Sequence, residues 1–144
     1  MAEDYLLVLR AVAFGACISI TSATTRQCGL ISDIAPRDTP FQPPAWVFGV
    51  VWPCLFATTG IAWALAGSAA DAPLAVVTLL CCSWLVAYVC LKRRVLAAAT
   101  LASTVLSSVF AAAYLPGAAG WLMAPLAVWT AFATYLNVYA TLST

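Results

Sequence analysis

Phe48, Trp52 and Phe56 recur at every fourth residue, and Trp63 lies eleven beyond Trp52. At about 100° per residue these rings share one helix face. Near the other end of the chain Pro125, Trp129, Phe132, Ala133 and Leu136 share a face that combines bulk with gaps. Such faces suit helix–helix packing. They also suit a flat aromatic ligand, because facing indoles supply stacking area inside an apolar pocket. Trp46 and Trp121, near helix starts, fit an interfacial aromatic belt.

Most other chemistries are closed to this chain. It has no histidine, which removes a Ser-His-Asp triad, a Cys-His dyad, an HExxH zinc site and histidine-ligated haem. The six cysteines, Cys17, Cys28, Cys54, Cys81, Cys82 and Cys90, contain no CxxC pair. Five lie inside apolar runs, where a thiol packs as a small hydrophobe, and Cys28 is expected to have no disulfide partner. No metal site is expected.

The elements that must position these rings are set by hydrophobicity. Of 144 residues 65% are apolar and 8% charged, with a mean hydropathy of +1.01. An average soluble domain is about half apolar and a quarter charged, so this chain has too little polar surface for a water-soluble globule. Six Lys and Arg against five acids give no basic field for nucleic acid. Five apolar stretches, at about 5–23, 44–66, 73–91, 95–115 and 120–142, each have the 19 to 23 residues that cross a hydrocarbon core. Backbone groups in lipid must be satisfied within each segment, so the expected fold is all-α, a single five-helix transmembrane bundle spanning 1–144.

The connections carry the remaining signals. Residues 24–43 form a proline-rich loop, and a connection of that length is usually functional. Pro44 opens the second helix and Pro53 is expected to kink it. Arg10 sits one to two turns inside the first stretch and is expected to snorkel to the headgroups. Glu3 and Asp4 precede that stretch where a signal peptide would carry basic residues, so it is read as a mature helix. Arg26, Arg37 and Lys92-Arg93-Arg94 fall in the first and third loops, which places those loops and the C-terminus on the cytoplasmic side. Two ladders of small residues at spacing four, Ala11-Gly15-Ser19-Ala23 and Ala99-Ser103-Ser107-Ala111, allow close helix approach. One is expected inside the bundle and the other in a homodimer contact.

Two segments go beyond patterning. Phe41-Gln42-Pro43-Pro44-Ala45-Trp46-Val47-Phe48-Gly49-Val50-Val51-Trp52 resembles the W-x-P-P-x-W-V-F-x-x-x-W signature of the tryptophan-rich sensory protein family. That family (TspO/MBR) is also called the translocator protein or peripheral-type benzodiazepine receptor family. Pro125-Leu126-Ala127-Val128-Trp129-Thr130-Ala131-Phe132-Ala133-Thr134-Tyr135-Leu136-Asn137 is similar to its fifth-helix signature, P-Y-x-x-W-x-x-x-A-T-x-L-N. Both motifs lie in family order, and the resemblance covers essentially the whole chain.

The resemblance implies a membrane receptor or sensor with a pocket opening toward the long loop. It implies porphyrin ligands (protoporphyrin IX and haem-type tetrapyrroles), with sterols as further candidates, and no required cofactor. The residues it assigns to the pocket are Phe41, Pro43, Pro44, Trp46, Phe48, Trp52, Phe56, Trp84, Trp129, Phe132, Ala133, Leu136 and Asn137. Trp52 and Trp129 match tryptophans proposed to act in light-dependent porphyrin breakdown, and they are expected to face each other. Arg26 or Arg37 would meet the propionates. A porphyrin-degrading enzyme, a small transporter and a structural membrane subunit are the other readings.

The chain also departs from the family pattern. Phe41 replaces a tryptophan, and the W-Y pair is missing around Ser32-Asp33-Ile34. Counted back from Arg93, the third-helix pattern Q-L-x-L-N-x-x-W meets Thr78, Cys82 and Leu85, leaving Trp84 one position off. Leu136-Asn137-Val138-Tyr139 opens a sterol-type pattern with no Lys or Arg to complete it.

Overall fold

The computed structural model describes residues 2–29 and 40–142. Arg37 and the Ser32-Asp33-Ile34 segment lie outside the described residues. Helix α1 (Ala2–Thr25) ends in a 3₁₀ turn, Arg26–Cys28, and α2 covers Ala45–Ala66. A second 3₁₀ turn, Gly67–Ala70, leads into α3 (Asp71–Leu85), which continues as a π turn over Val86–Cys90. Then come α4 (Arg94–Tyr114), the short α5 (Ala118–Leu122) and α6 (Ala124–Leu142). The described residues contain no strand.

Local chemistry accounts for the breaks. Gly67, at φ +63°, takes the left-handed turn that stops α2, and Gly117, at φ +57°, does the same beyond α4. The expected helix over 120–142 is divided at Met123. Pro125 has no N–H and its ring excludes the carbonyl four residues back, so the chain makes one tighter Met123 N–H to Gly120 O bond of 3.1 Å. The helix restarts at Ala124, with Pro125 in its first turn. By contrast α2 runs unbroken through Pro53.

The packing order is α1 on α2 and α3, α3 on α4, α4 on α6, and α2 on α5. Phe14, Ile18, Leu55, Leu74, Val77, Met123 and Leu126 form the core. Several buried hydroxyls bond within their own helices, as Thr78 does to the Leu74 carbonyl at 2.7 Å and Thr130 to that of Leu126 at 2.8 Å, whereas those of Thr59 and Ser108 have no partner among the described residues. The Ala11–Gly15 half of the first small-residue ladder packs on α2, whereas Ser19 and Ala23 are exposed. A Cβ at Gly60 would collide with the Ala11 carbonyl oxygen, and one at Gly15 would lie 3.2 Å from Phe56. In the α4 ladder Ala99 and Ser103 are exposed and only Ala111 is buried.

Four described segments are long and apolar enough to cross a membrane: Ala2–Cys28, Trp46–Cys90, Arg94–Tyr114 and Ala118–Leu142. The second holds both α2 and α3 in 45 residues.

Two expectations are corrected. Arg10 does not snorkel alone. Its Nε and Nη2 donate to the Asp71 carboxylate at 2.8 and 2.9 Å, and the Trp63 indole N–H donates to the same group at 2.8 Å. Asp71 stands at the start of α3, at the end of the bundle where Arg10 lies in α1, so the guanidinium finds its acceptor there. Cys28 does have a partner, forming a disulfide with Cys90 across a Cα–Cα distance of 5.0 Å. Cys90 closes the π turn at the very end of its apolar run, beside the end of α1, where Cys28 can reach it.

Candidate functional site

One end of the bundle encloses a cavity of about 750 Å³. From α1 and its 3₁₀ turn come Ile18, Ser19, Ser22, Ala23 and Arg26; from the segment before α2 come Gln42 and Pro43. Phe48, Gly49, Trp52, Pro53 and Phe56 supply the α2 wall, and Trp84 and Leu85 close it from α3. The four-residue aromatic spacing in α2 places Phe48, Trp52 and Phe56 on one face, with the Trp52 and Phe56 ring centroids 6.2 Å apart. Small side chains at Ser19, Ser22 and Ala23 leave the opposite side open. Most of the lining is apolar, with polar groups from Ser19, Ser22, Arg26 and Gln42. The Gln42 side-chain oxygen is buried and has no hydrogen-bond partner among the described residues. No group of three or more metal-ligating side chains occurs among the described residues.

Trp84 lines this cavity although the third-helix pattern puts it one position out of register. The π turn that follows supplies the reason. Its Leu91 N–H to Val86 O bond, 3.0 Å long, closes a wider ring than an α turn and absorbs one extra residue. One residue is about 100° of rotation, which equals the offset. The indole N–H of Trp84 donates to Asn137 Oδ1 at 3.2 Å, and Asn137 Nδ2 donates to the Arg94 carbonyl at 3.3 Å. Asn137 is therefore a buried link among α3, α4 and α6, behind the cavity wall.

The remaining aromatic residues of α6 also stand behind the lining. Trp129 meets Phe48 edge-on, with centroids 5.5 Å apart at 74°, and is not itself a lining residue. Trp129 to Phe132 at 5.7 Å and Phe132 to Tyr135 at 6.2 Å continue the row. The Tyr135 hydroxyl donates to the Pro40 carbonyl at 3.3 Å, tying α6 to the segment before α2. Trp129 thus meets the cavity wall at Phe48, while Trp52 lines the cavity itself. Ala133 and Leu136 lie half-buried on α6, outside the lining.

The loop residues divide. Pro43 lines the cavity, whereas Phe41 is 86% exposed and Trp46 69%. Phe41 has φ +63°, a left-handed backbone that turns its ring outward. Pro44 is an exposed N-cap. Of the lining residues, Ile18, Ser22, Gly49 and Pro53 carried no sequence signal for a site, and Leu85 carried one only as the position aligned with the third-helix tryptophan. Ser19 and Ala23 carried one for packing, as rungs of the α1 ladder.

A comparison with curated proteins gave no match. The family comparison did. The model described as the TspO/MBR family matches residues 7–142, from the sixth residue of α1 to the last residue of α6. The motif-bearing helices therefore all fall within the match, and the chain, an integral membrane protein, belongs to the TspO/MBR family.

Proposed function

We propose that this protein is a membrane receptor that binds a porphyrin in the cavity among α1, α2 and α3. Family membership supports a receptor- or transporter-type role. The observation that carries the ligand class is the composition of the cavity wall. Phe48, Trp52, Phe56 and Trp84 surround about 750 Å³, and Arg26 stands among the lining residues at the end of α1. That volume falls in the usual range for pockets that bury a small molecule. Rings on the α2 and α3 walls suit stacking on a flat macrocycle, and Arg26 suits a carboxylate in a bidentate pair. A sterol would use the same apolar wall without the cation. Light-dependent breakdown is the second reading, favoured by Trp52 in the wall and by Trp129 in ring contact with the lining residue Phe48.

The proposed setting is a bundle of five spans. A 45-residue helix would be about 68 Å long, over twice the hydrocarbon core, so the division at Gly67 makes α2 and α3 separate crossings. Lys92, Arg93 and Arg94 lie at the same end as Arg26, and this cluster of basic residues supports a cytoplasmic cavity end by the positive-inside rule. The exposed α4 ladder is the proposed homodimer contact.

Titration of the purified protein with protoporphyrin IX, following tryptophan fluorescence in the dark and then under light, tests the function. Saturable quenching is expected. Light-driven loss of the Soret band would add the degradative reading, and absence of quenching would overturn porphyrin binding.

A further inference from the structure

The Cys28–Cys90 disulfide joins the segment just beyond the cavity-lining residues of α1 to the segment just beyond those of α3. Arg26, two residues before Cys28, lines the cavity, and Ser22 and Ala23 precede it on the same helix. Cys90 ends the π turn that begins directly after Trp84 and Leu85, the two lining residues of α3. The bond bridges 62 residues of sequence, so no local structure substitutes for it. Cys28 is also where the long first loop departs, and the far end of that loop, Gln42 and Pro43, lines the same cavity. Cys28 is exposed and Cys90 half-buried, so soluble thiols can reach the bond.

We infer that Cys28 and Cys90 form a thiol–disulfide switch that regulates ligand binding in this cavity; the inference rests on the porphyrin-binding reading. The basic residues that share this end assign it to the cytoplasm, a compartment whose thiol pool keeps permanent structural disulfides rare and makes transient ones sensors. Oxidation begins at the exposed residue. The Cys28 thiolate attacks a small-molecule disulfide, forming a mixed disulfide and releasing one thiolate. The Cys90 thiolate then attacks the Cys28 sulfur, forming the internal bond and expelling the second thiolate. Two protein thiols lose two protons and two electrons, and one external disulfide becomes two thiols. Two external thiols reverse the sequence. In the oxidised form the end of α1 is pinned to the end of α3, so Arg26 is held beside Trp84 before ligand arrives. In the reduced form that order must be created on binding, at a cost in affinity.

The test uses the full-length protein in nanodiscs, equilibrated with oxidised or reduced glutathione. Mass spectrometry after alkylation counts the disulfide, protoporphyrin IX quenching gives affinity, and hydrogen–deuterium exchange reports on residues 22–29 and 84–92. The oxidised form is expected to bind about fivefold more tightly and to exchange more slowly in both segments. Cys28→Ser and Cys90→Ser variants should match the reduced form and ignore the redox buffer. The switch is overturned if no Cys28–Cys90 bond forms under oxidised glutathione, or if both segments exchange identically in the two forms. Equal, saturable affinities in both forms also overturn it. Slower exchange in the oxidised form without quenching in either form would support the tether and defeat the porphyrin reading alone.

Discussion

The crossing of α1 and α2 depends on one missing methyl group. Gly60 is buried, and a Cβ built there would collide with the Ala11 carbonyl oxygen while lying 3.1 Å from the carbonyl carbon. Both sides of this contact are backbone, so no rotamer change relieves it and the helices must separate by a fraction of a turn's width. Overpacking of this kind costs about 1–3 kcal/mol. The helical preference of alanine over glycine returns about 0.5–1 kcal/mol, leaving a net loss of about 1–2 kcal/mol for Gly60→Ala. Gly49, in the same helix, is the matched control, because a Cβ there meets nothing within 4 Å. Gly49→Ala should therefore gain about 0.5 kcal/mol. Equilibrium unfolding in mixed detergent micelles, followed by circular dichroism, measures both. Gly60→Ala should fall below the parent and Gly49→Ala should not. Equal stability of the two variants would refute the close-approach reasoning.

Two other perturbations address separate parts of the bundle. Asp71→Ala should lower the unfolding midpoint by leaving the Arg10 guanidinium and the Trp63 N–H without their acceptor, and adding Arg10→Ala should cost little more; strictly additive losses in the double variant would contradict the pairing. Ser103→Leu on the exposed part of the α4 ladder should abolish dimerisation in ultracentrifugation with the midpoint preserved, whereas Gly15→Leu, which meets Phe56, should disrupt the fold and the cavity; the reverse pattern would put the dimer contact on α1.

Much of the architecture was legible because punctuation and composition coincide. Pro44, Gly67 to Pro73 and Pro116-Gly117 mark helix ends in the sequence, and the structure breaks at or beside each. The α2 aromatic spacing carried over directly to the cavity wall, since an uninterrupted helix preserves its period. What was hidden depended on geometry that periodicity does not encode. The π turn over Val86–Cys90 re-registers Trp84, and no single residue type announces such a turn. Cys28–Cys90 and Arg10–Asp71 join residues 62 and 61 apart, pairings set by which helix ends share a side of the bundle. Phe41 reads as part of the binding motif, but its left-handed backbone points it outward. Trp129 matches a motif position yet stands one ring behind the cavity, because Phe48 occupies the space between.

The most direct test of the central claim is an experimental structure of the protein with protoporphyrin IX bound. The macrocycle should lie in the cavity against Trp52 and Trp84, with a carboxylate at Arg26. Density for the porphyrin only on a lipid-facing surface, with the space between α1, α2 and α3 unchanged, would contradict it.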